Sequence, residues 1–521
     1  MGLMLALLAP LALAAGEPLS AQPQVRVERI RIDGNTVLDE ATLRAAVAPY
    51  EHRDLAAEEL EELRQRLTQL YVDAGYISSG ALIPDQSLDD GVLRLQVTEG
   101  RLTRVQFTGE HHYREAWLQG LFTGQAEEPL NVGRLQERMQ LLLQDGVAEQ
   151  LNAELLPGDA PGQSQLRLGL REGPRFHASL DIANDRPVSV GETAAAVELG
   201  ARNLLGINDL SVASMGLTDG YESYGLRSTL PLPGTAFSLF ASVARNDSSV
   251  VESRFRVLDI SSRETAAEAG FGLRLQHTQQ RQISFSGSLY HTRTRTYLLG
   301  IPFSFAAGVV DGEAEVSGLR TAVDAVWRWP ARVFAARSLL NFGLDAFGST
   351  IHADPALPDS HFASWQTQLQ LVQQVFDGRG QALARAGWQL ASDGLLPSEK
   401  LVVGGGETVR GYRENYLVRD EGLIASAEYR HRLARLRVPG ISRDAEDGAL
   451  ALALFIDYGL ASDDNGSSLS LASVGSGLRW NLSPDIGAQV YHGIPFIHED
   501  SGGSSLQDEG VHFRVHCGVR F

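Results

Sequence analysis

The chain has 521 residues, a single cysteine and a formal net charge of −19 at pH 7. This length allows more than one domain, and the acidic balance argues against a nucleic-acid partner, because such proteins need a basic face to neutralise phosphates. The lone thiol, Cys517, excludes a disulfide framework and a thiolate metal site.

The start of the chain predicts a signal peptide at residues 1–15. These residues are largely apolar and reach a small-x-small sequence, Ala12-Leu13-Ala14, but no basic residue precedes Arg26. The segment is too short to span a bilayer as a helix. No later stretch has about eighteen uninterrupted apolar residues, so the mature chain is either soluble in the periplasm or a β-barrel.

Residues 25–173 contain one pattern twice, with a period of about 73 residues. The copies open with Arg-Ile-Arg-Ile-Asp-Gly at 29–34 and Arg-Val-Gln-Phe-Thr-Gly at 104–109. Both copies begin and end with the two-residue alternation of strands. The period suits two tandem domains, at 25–100 and 101–173.

The middle of each copy predicts helices, because apolar residues recur there at helical spacing. The two stripes consist of Leu60, Leu63, Leu67 and Leu70, and of Leu135, Met139, Leu142 and Leu143. Each domain is therefore expected to be a small α+β unit with helices on one face of a sheet. Such a short sheet leaves an edge strand open to an extended segment of another chain.

From residue 174 to 521 the helical stripes give way to short alternating segments between Gly, Asn, Asp and Pro turns. A soluble β-sandwich also alternates, but the long run of hairpins after a signal peptide favours a transmembrane β-barrel. We count sixteen antiparallel strands, an even number that returns the chain to the periplasm. Long polar stretches predict external loops at 246–266, 293–318, 392–421 and 494–510.

The last strand alternates from Val511 to Phe521. One parity is apolar and is expected to face lipid, whereas His512, Arg514, His516 and Arg520 are expected to face the lumen. Cys517 has the lipid-facing parity and is expected to be a small apolar filler there.

Distinct motifs occur in both halves of the chain. They are Gly75-Tyr76, Pro84-Asp85-Gln86, Gly91 and Glu99-Gly100 in the first repeat, and Asn203 to Leu210, Gly404 to Tyr412 and Phe455 to Gly459 in the barrel region. Together they resemble the transporter partner of two-partner secretion systems, the haemolysin secretion/activation proteins. The resemblance covers nearly the whole mature chain. It implies two periplasmic POTRA domains followed by a barrel in the bacterial outer membrane.

The resemblance also implies a site. Val409, Arg410, Gly411 and Tyr412 match the superfamily's sixth external loop, which folds back into the barrel. Asp457 and Gly459 match a strand motif whose aspartate faces the lumen and pairs with the loop arginine. A bidentate, charge-assisted pair would fix the loop's position. The alternative is that both are ordinary solvated charges of a loop and a lumen.

The terminal Phe521 resembles the signal by which the assembly machinery recognises new barrels. Many relatives also carry an N-terminal helix that plugs the barrel. Only about ten residues lie between the predicted signal peptide and Val25, too few for such a helix at 1.5 Å per residue. Either the plug is absent or the natural start lies further upstream.

The resemblance implies a transporter for a large secreted exoprotein, such as an adhesin or haemolysin, with its own N-terminal secretion domain. Outer-membrane lipid and the barrel-assembly machinery would be the other partners. We expect no enzyme activity, no catalytic residue, no metal and no cofactor. In particular, Gly404 to Gly406 are not a phosphate loop, because no Gly-Lys-Ser/Thr follows them. The alternatives are a factor that inserts other barrels, whose relatives carry more POTRA domains, and a passive porin, which needs none.

Overall fold

The computed structural model describes residue 19 and residues 24–88, 90–122, 128–464, 466–497 and 505–521. The predicted signal peptide, 1–15, lies outside these residues. The chain divides into two compact units whose main boundary falls between Gly173 and Pro174. Across the described ranges, no helix is both long and apolar enough to cross a bilayer.

The first repeat folds as two helices beside a small sheet. Its elements are β1 (Gln24–Val27), β2 (Arg29–Asp33), α1 (Glu40–Val47), β3 (Arg53–Ala56), α2 (Ala57–Asp73), β4 (Gly80–Leu82) and β5 (Val92–Thr98). The central β5 is parallel to β2 and antiparallel to β4, while β1 and β3 pair separately. Leu63 and Leu67 of α2 meet Leu93 and Leu95 of β5 in a core from which solvent is excluded.

The second repeat has the same order of elements without the extra strand pair. They are β6 (Arg101–Thr108), α3 (Glu115–Gly120), α4 (Val132–Gln144), β7 (Gln150–Pro157) and β8 (Gln163–Arg171). The central β8 is parallel to β6 and antiparallel to β7. Asn131 starts α4, because its side chain accepts the otherwise unpaired N–H of Arg134 at 3.2 Å.

The predicted apolar stripe of α4 is wrong at one position. Leu135 and Leu142 are buried, but Leu143 is exposed and Leu141 is buried in its place. Successive residues are about 100° apart on a helix. The buried face of α4 is therefore rotated toward Leu141. The sequence leaves this rotation undetermined, because Leu141, Leu142 and Leu143 are three leucines in succession.

The second unit is a closed barrel. Its strands are β9 (Phe176–Ala183), β10 (Ala194–Arg202), β11 (Leu210–Leu217), β12 (Tyr221–Pro231), β13 (Phe237–Ser249), β14 (Ile260–His277), β15 (Arg281–Leu298), β16 (Ile301–Pro302), β17 (Glu313–Trp329), β18 (Arg332–Leu344), β19 (Ala363–Val375), β20 (Gly380–Ala391), β21 (Leu401–Val403), β22 (Leu417–Arg419), β23 (Glu421–Arg435), β24 (Ala449–Ser462), β25 (Ser468–Ser483), β26 (Ile486–Pro495) and β27 (Val511–Arg520).

In the part of the chain that the structure describes, sixteen long strands form the barrel wall, which confirms the predicted sixteen-stranded antiparallel barrel. The two-residue β16 only extends the edge of β15, and β21 and β22 form a separate hairpin. The last strand, β27, pairs with the first, β9, over seven positions from Arg514↔Ala183 to Arg520↔His177. This pairing closes the wall and leaves no sheet edge open.

About half of each of two predicted loops, 246–266 and 293–318, is strand. β13 continues to Ser249 and β14 begins at Ile260, while β15 continues to Leu298. Polar pairs across neighbouring strands hold these extensions together: Asn246–Glu264 (3.0 Å), Asp247–Arg263 (2.6 Å) and Arg295–Glu313 (3.1 Å). Because both faces are polar at these strand ends, the apolar alternation that reveals a membrane strand is missing there.

The wall of the barrel is apolar outside and polar inside. On β24, Leu454 and Ile456 are exposed on the outer face, whereas Phe455 and Asp457 are buried on the inner face. On β27, Val515 and Val519 point outward and His512 is buried inside. This arrangement is typical of strands between lipid and a polar lumen.

Candidate functional site

The connection between β20 and β23, residues 392–420, is the sixth external loop and is called loop 6 below. Its tip folds back into the barrel, where Val403, Val409, Tyr412 and Leu417 are buried against Leu471 of the wall. The hairpin of β21 and β22 forms the stem that carries the tip inward. Loop 6 therefore occupies part of the lumen.

Arg410 is the centre of the contact between loop 6 and the wall. Its Nε and Nη2 donate to Oδ2 and Oδ1 of Asp457 at 2.8 and 2.9 Å, which is a bidentate pair. The backbone N–H of Arg410 also donates to Asp457 Oδ2, at 3.1 Å. Only 3% of Arg410 and 1% of Asp457 is exposed, so water screens this pair little.

A second acidic residue shares the guanidinium. Arg410 Nη1 donates to Glu428, and Ser426 Oγ donates to Asp457 Oδ1 at 2.6 Å. Arg430 donates to the other oxygen of Glu428, so two cations face two carboxylates. A buried charge cluster of this kind is tolerated because its charges and hydrogen bonds are matched.

Two aromatic rings enclose the guanidinium. Its carbon lies 3.6 Å from the ring centre of Phe455 and 4.9 Å from that of Tyr491. The negative faces of such rings attract a cation, most strongly where water is excluded. Tyr491 also donates its hydroxyl to Glu428 Oε1 at 3.0 Å, which joins ring and carboxylate in one network.

Glycines make the approach of the loop possible. A Cβ at Gly459 would lie 2.4 Å from Val403 Cγ1 and 2.9 Å from Val409 Cγ2, so only glycine leaves space for the loop at this point of β24. Gly411 has φ +95°, a conformation that favours glycine, and its backbone touches Gly493 of β26.

Tyr412 closes the tip of loop 6. Its hydroxyl donates to the carbonyl of Ala472 at 3.1 Å and accepts from the N–H of Ile497 at 3.3 Å. The N–H of Gly411 donates to His512 Nε2 of the last strand at 3.2 Å. The tip thus touches β25, β27 and the last external loop as well as β24.

The structure brings together six of the residues predicted from the sequence: Val409, Arg410, Gly411, Tyr412, Asp457 and Gly459. The seventh, Phe521, lies apart from them at the other end of β27. It is exposed, stacks on Phe176 at 5.8 Å and exchanges two backbone hydrogen bonds of 2.9 Å with it.

Sequence reasoning missed Ser426, Glu428 and Tyr491. In the register of β23 and β24, Ser426 stands opposite Asp457 and Glu428 opposite Phe455, so these two inward positions follow from strand pairing. The inward parity of β23 was a usable signal for both. Tyr491 also has the inward parity of its strand, but β26 pairs with β25 and not with β24, so local pairing does not bring it to Asp457.

Two carboxyl groups of loop 6 have altered acidity. Burial raises the pKa of Glu414 to about 7, and neighbouring Asp185 and Glu407 act in the same direction, although the N–H of Gly406 donates to it at 2.6 Å. Burial also raises the pKa of Glu399, in the stem, to about 7. In the part of the chain that the structure describes, no group of three or more His, Cys, Asp or Glu side chains could hold a metal ion.

Two family models match the chain. One, described as "Haemolysin secretion/activation protein ShlB/FhaC/HecB", matches residues 162–480, more than half of the chain. The other, described as "POTRA domain, ShlB-type", matches residues 25–100. The predicted limits of the individual domains stay predictions.

Curated relatives align over most of their length. The outer membrane transporter CdiB of Escherichia coli is 25% identical over 507 residues, which cover 94% of this chain and 83% of the relative. The heme/hemopexin transporter protein HuxB of Haemophilus influenzae (strain 86-028NP) is 20% identical over 503 residues, 90% of this chain and 84% of the relative. The solved structure of CdiB from Escherichia coli has the same fold, with a TM-score of 0.73 and 23% identity over 98% of this chain and 94% of that one.

A sixteen-stranded barrel with an inward loop and a POTRA domain defines an outer-membrane transporter rather than an enzyme. The chain belongs to the haemolysin secretion/activation family, the transporters of two-partner secretion. The barrel lies in the bacterial outer membrane and the POTRA domains in the periplasm, as in the rest of this family. Family membership also implies a large secreted exoprotein as partner.

Proposed function

We propose that this chain recognises one unfolded exoprotein in the periplasm through its POTRA domains and passes it outward through the barrel lumen. The observation that carries the proposal is the way loop 6 is held. The tip blocks part of the lumen, and its central contacts are directional polar bonds around Arg410, beside a small apolar cluster with the wall. Such contacts can be broken and remade without unfolding the wall.

Recognition would use sheet edges. In the second repeat, β7 and β6 are the outer strands of the β6–β8–β7 sheet, and β7 has eight residues. An extended segment of the exoprotein can add to such an edge through backbone hydrogen bonds. Strand addition suits a client that is still unfolded, because its own backbone groups are unpaired.

The rival function, insertion of other barrels, requires sideways release of a client into lipid. The wall would then have to open between its first and last strands. Here β9 and β27 pair over seven positions, and the side chain of Asn184 bonds both Val511 O and Phe513 N at 2.7 Å. This closed junction supports transport through the lumen.

The test is co-expression with a large exoprotein that carries an N-terminal secretion domain and is encoded beside this chain. Arg410→Ala leaves Asp457 buried without a cation, while Glu428 keeps Arg430, and removing one partner of such a buried pair costs about 3–5 kcal/mol. Asp457→Ala removes the bidentate partner of Arg410 and leaves Glu428 as its remaining carboxylate. Both variants should lower the surface-exposed exoprotein at least tenfold while the barrel still migrates as a folded, heat-modifiable band.

Matched controls are Arg328→Ala and Asp324→Ala. These residues of β17 contact Gln282 and Arg337 rather than loop 6. Both controls should secrete normally. Equal secretion with and without this chain refutes the transport proposal, and a general rise in the insertion of other barrels would favour the rival function instead.

We also propose that Phe521 is read by the barrel-assembly machinery and that the outward apolar rows contact outer-membrane lipid. The terminal ring is exposed at the end of the last strand, where a partner can reach it. Unchanged amounts of inserted barrel for Phe521→Ala would remove the support for the first of these roles.

A further inference from the structure

The last external loop, between β26 and β27, makes a second set of contacts with loop 6. Asp508 accepts from Arg413 Nε and Nη2 at 2.5 and 2.9 Å, a second bidentate pair three residues beyond Arg410. Gln507 Oε1 accepts from the N–H of Glu414 at 2.9 Å. Neither contact involves the Arg410 network, so the tip of loop 6 is held twice.

The same segment is tied to the beginning of the barrel. Gln507 Nε2 donates to the carbonyls of Asn184 and Arg186 at 2.9 and 2.7 Å. The N–H groups of Leu506 and Gln507 donate to the two carboxylate oxygens of Glu192, both at 3.1 Å. We call residues 505–508 the clasp, because they join loop 6 to the first external connection of the barrel.

The clasp is built as a specific binding element. Gln507 is 1% exposed, and its side-chain amide uses its oxygen and both of its donor directions. The side chain of Asp508 is 6% exposed and also accepts from Ser505 N and Oγ at 3.0 and 2.9 Å. Side chains with this degree of burial and satisfaction hold one geometry, because any displacement leaves polar groups unpaired.

We infer that the clasp is a second latch on loop 6, in which Gln507 and Asp508 are positioning residues that couple release of the loop to the junction between the first and last strands. Asn184 makes this coupling direct: its carbonyl binds Gln507, and its side chain bridges to β27. Outward movement of the loop tip therefore pulls on the segment that closes the wall. The inference rests on the proposed transport function, since transport must displace this loop.

The test uses the purified full chain in planar lipid bilayers, with no exoprotein. Gln507→Glu keeps the shape but turns a donor toward two carbonyl oxygens into a repelling oxygen. Asp508→Asn removes the charge of the bidentate partner of Arg413 and leaves it only the more distant Glu252, at 3.6 Å. Each variant should increase the fraction of time in the high-conductance state about tenfold, the factor expected for loss of one buried hydrogen bond. Trypsin should also cleave faster within residues 404–416.

The controls separate a latch from general loosening. Asp508→Glu retains the carboxylate and should restore most of the wild-type gating. Asp247→Asn removes a charge that accepts from Arg245 and Arg263 at the outer ends of β13 and β14, away from loop 6, and should gate normally. If either clasp variant does not fold, Glu192→Gln replaces it. This substitution weakens the bonds that Glu192 accepts from Leu506 and Gln507, and it should increase the time in the high-conductance state by a smaller factor.

Wild-type gating and trypsin resistance in the folded clasp variants overturn the inference, as does an equal effect of Asp247→Asn. Because this readout needs no exoprotein, its outcome is independent of the secretion test. Altered gating without any dependence of secretion on this chain leaves the clasp standing and refutes transport. Normal gating together with secretion that depends on Arg410 refutes the clasp alone.

Discussion

The first POTRA domain and loop 6 are both held by buried contacts, but the contacts differ in kind. The POTRA core consists of aliphatic side chains such as Val27, Leu55 and Leu63, all fully buried. Loop 6 is held chiefly by Arg410, Asp457 and their polar neighbours. Apolar burial is non-directional and is lost only when the domain unfolds, whereas a charge-assisted pair is lost after a displacement of one or two ångströms.

This difference separates the part of the protein that must keep its shape from the part that must move. The POTRA domain presents a fixed sheet edge, and its core can stay packed while that edge is used. In the transport proposed above, the loop must leave the lumen and return. A contact that is strong in one geometry and weak in all others gives a loop two distinct positions, while the wall around it stays folded.

The largest effect is expected in the POTRA core. Leu63→Ala removes the Cγ, Cδ1 and Cδ2 atoms from a fully buried site, and such changes cost about 2–5 kcal/mol. The periplasmic unit should become protease-sensitive and secretion should fall at least tenfold, while the barrel keeps its heat-modifiable migration. Leu143→Ala is the matched control, because Leu143 is 41% exposed; a similar loss for this variant would contradict the comparison.

A smaller effect is expected where loop and wall touch without charge. Gly459→Ala places a methyl group 2.4 Å from Val403 Cγ1, so the loop must shift although the Arg410 network is intact. We expect secretion to fall severalfold and loop 6 to become more accessible to trypsin. Gly387→Ala on β20, whose Cβ would lie 3.4 Å from Thr367 O, should behave as wild type. Equal behaviour of the two variants would show that close packing at Gly459 is unimportant.

The remaining effect concerns pH and changes gating rather than secretion. Burial raises the pKa of Glu414 above its ordinary 4.5 to about 7, so the inserted loop binds this proton more tightly than a released, solvated loop does. The resulting stabilisation is complete below about pH 4.5 and is lost as the pH rises through about 7. The high-conductance state should therefore become more frequent across this range, by at most about tenfold per pH unit.

Glu414→Gln should reduce that pH dependence in bilayer recordings. Part of it should remain, because Glu399 in the stem also has a pKa raised to about 7. Asp393→Asn is the control within the same loop, since Asp393 is exposed and accepts from Ser392 Oγ at 2.6 Å. A pH response of Glu414→Gln that equals the wild-type response would assign the effect to other groups.

The sequence predicted more of the barrel than of its loops. Period-two alternation is visible wherever one face meets lipid, which is why sixteen strands could be counted from Phe176 to Val511. The signal disappears beyond the membrane, so the paired extensions of β13, β14 and β15 were taken for loops. In α4 the helix was predicted correctly, but its rotation was not, because Leu141 and Leu143 are equally apolar.

By itself, the sequence determined the class of protein: the alternation, the tandem repeat and the Arg410 and Asp457 motifs are local patterns that require no knowledge of distant contacts. Tertiary structure alone decided which side chains complete the site. Glu428, Tyr491, Gln507 and Asp508 belong to strands or loops far apart in the chain, and barrel closure brings them around one loop tip. The physical reason is that a closed sheet sets neighbours by register and curvature, which no single segment encodes.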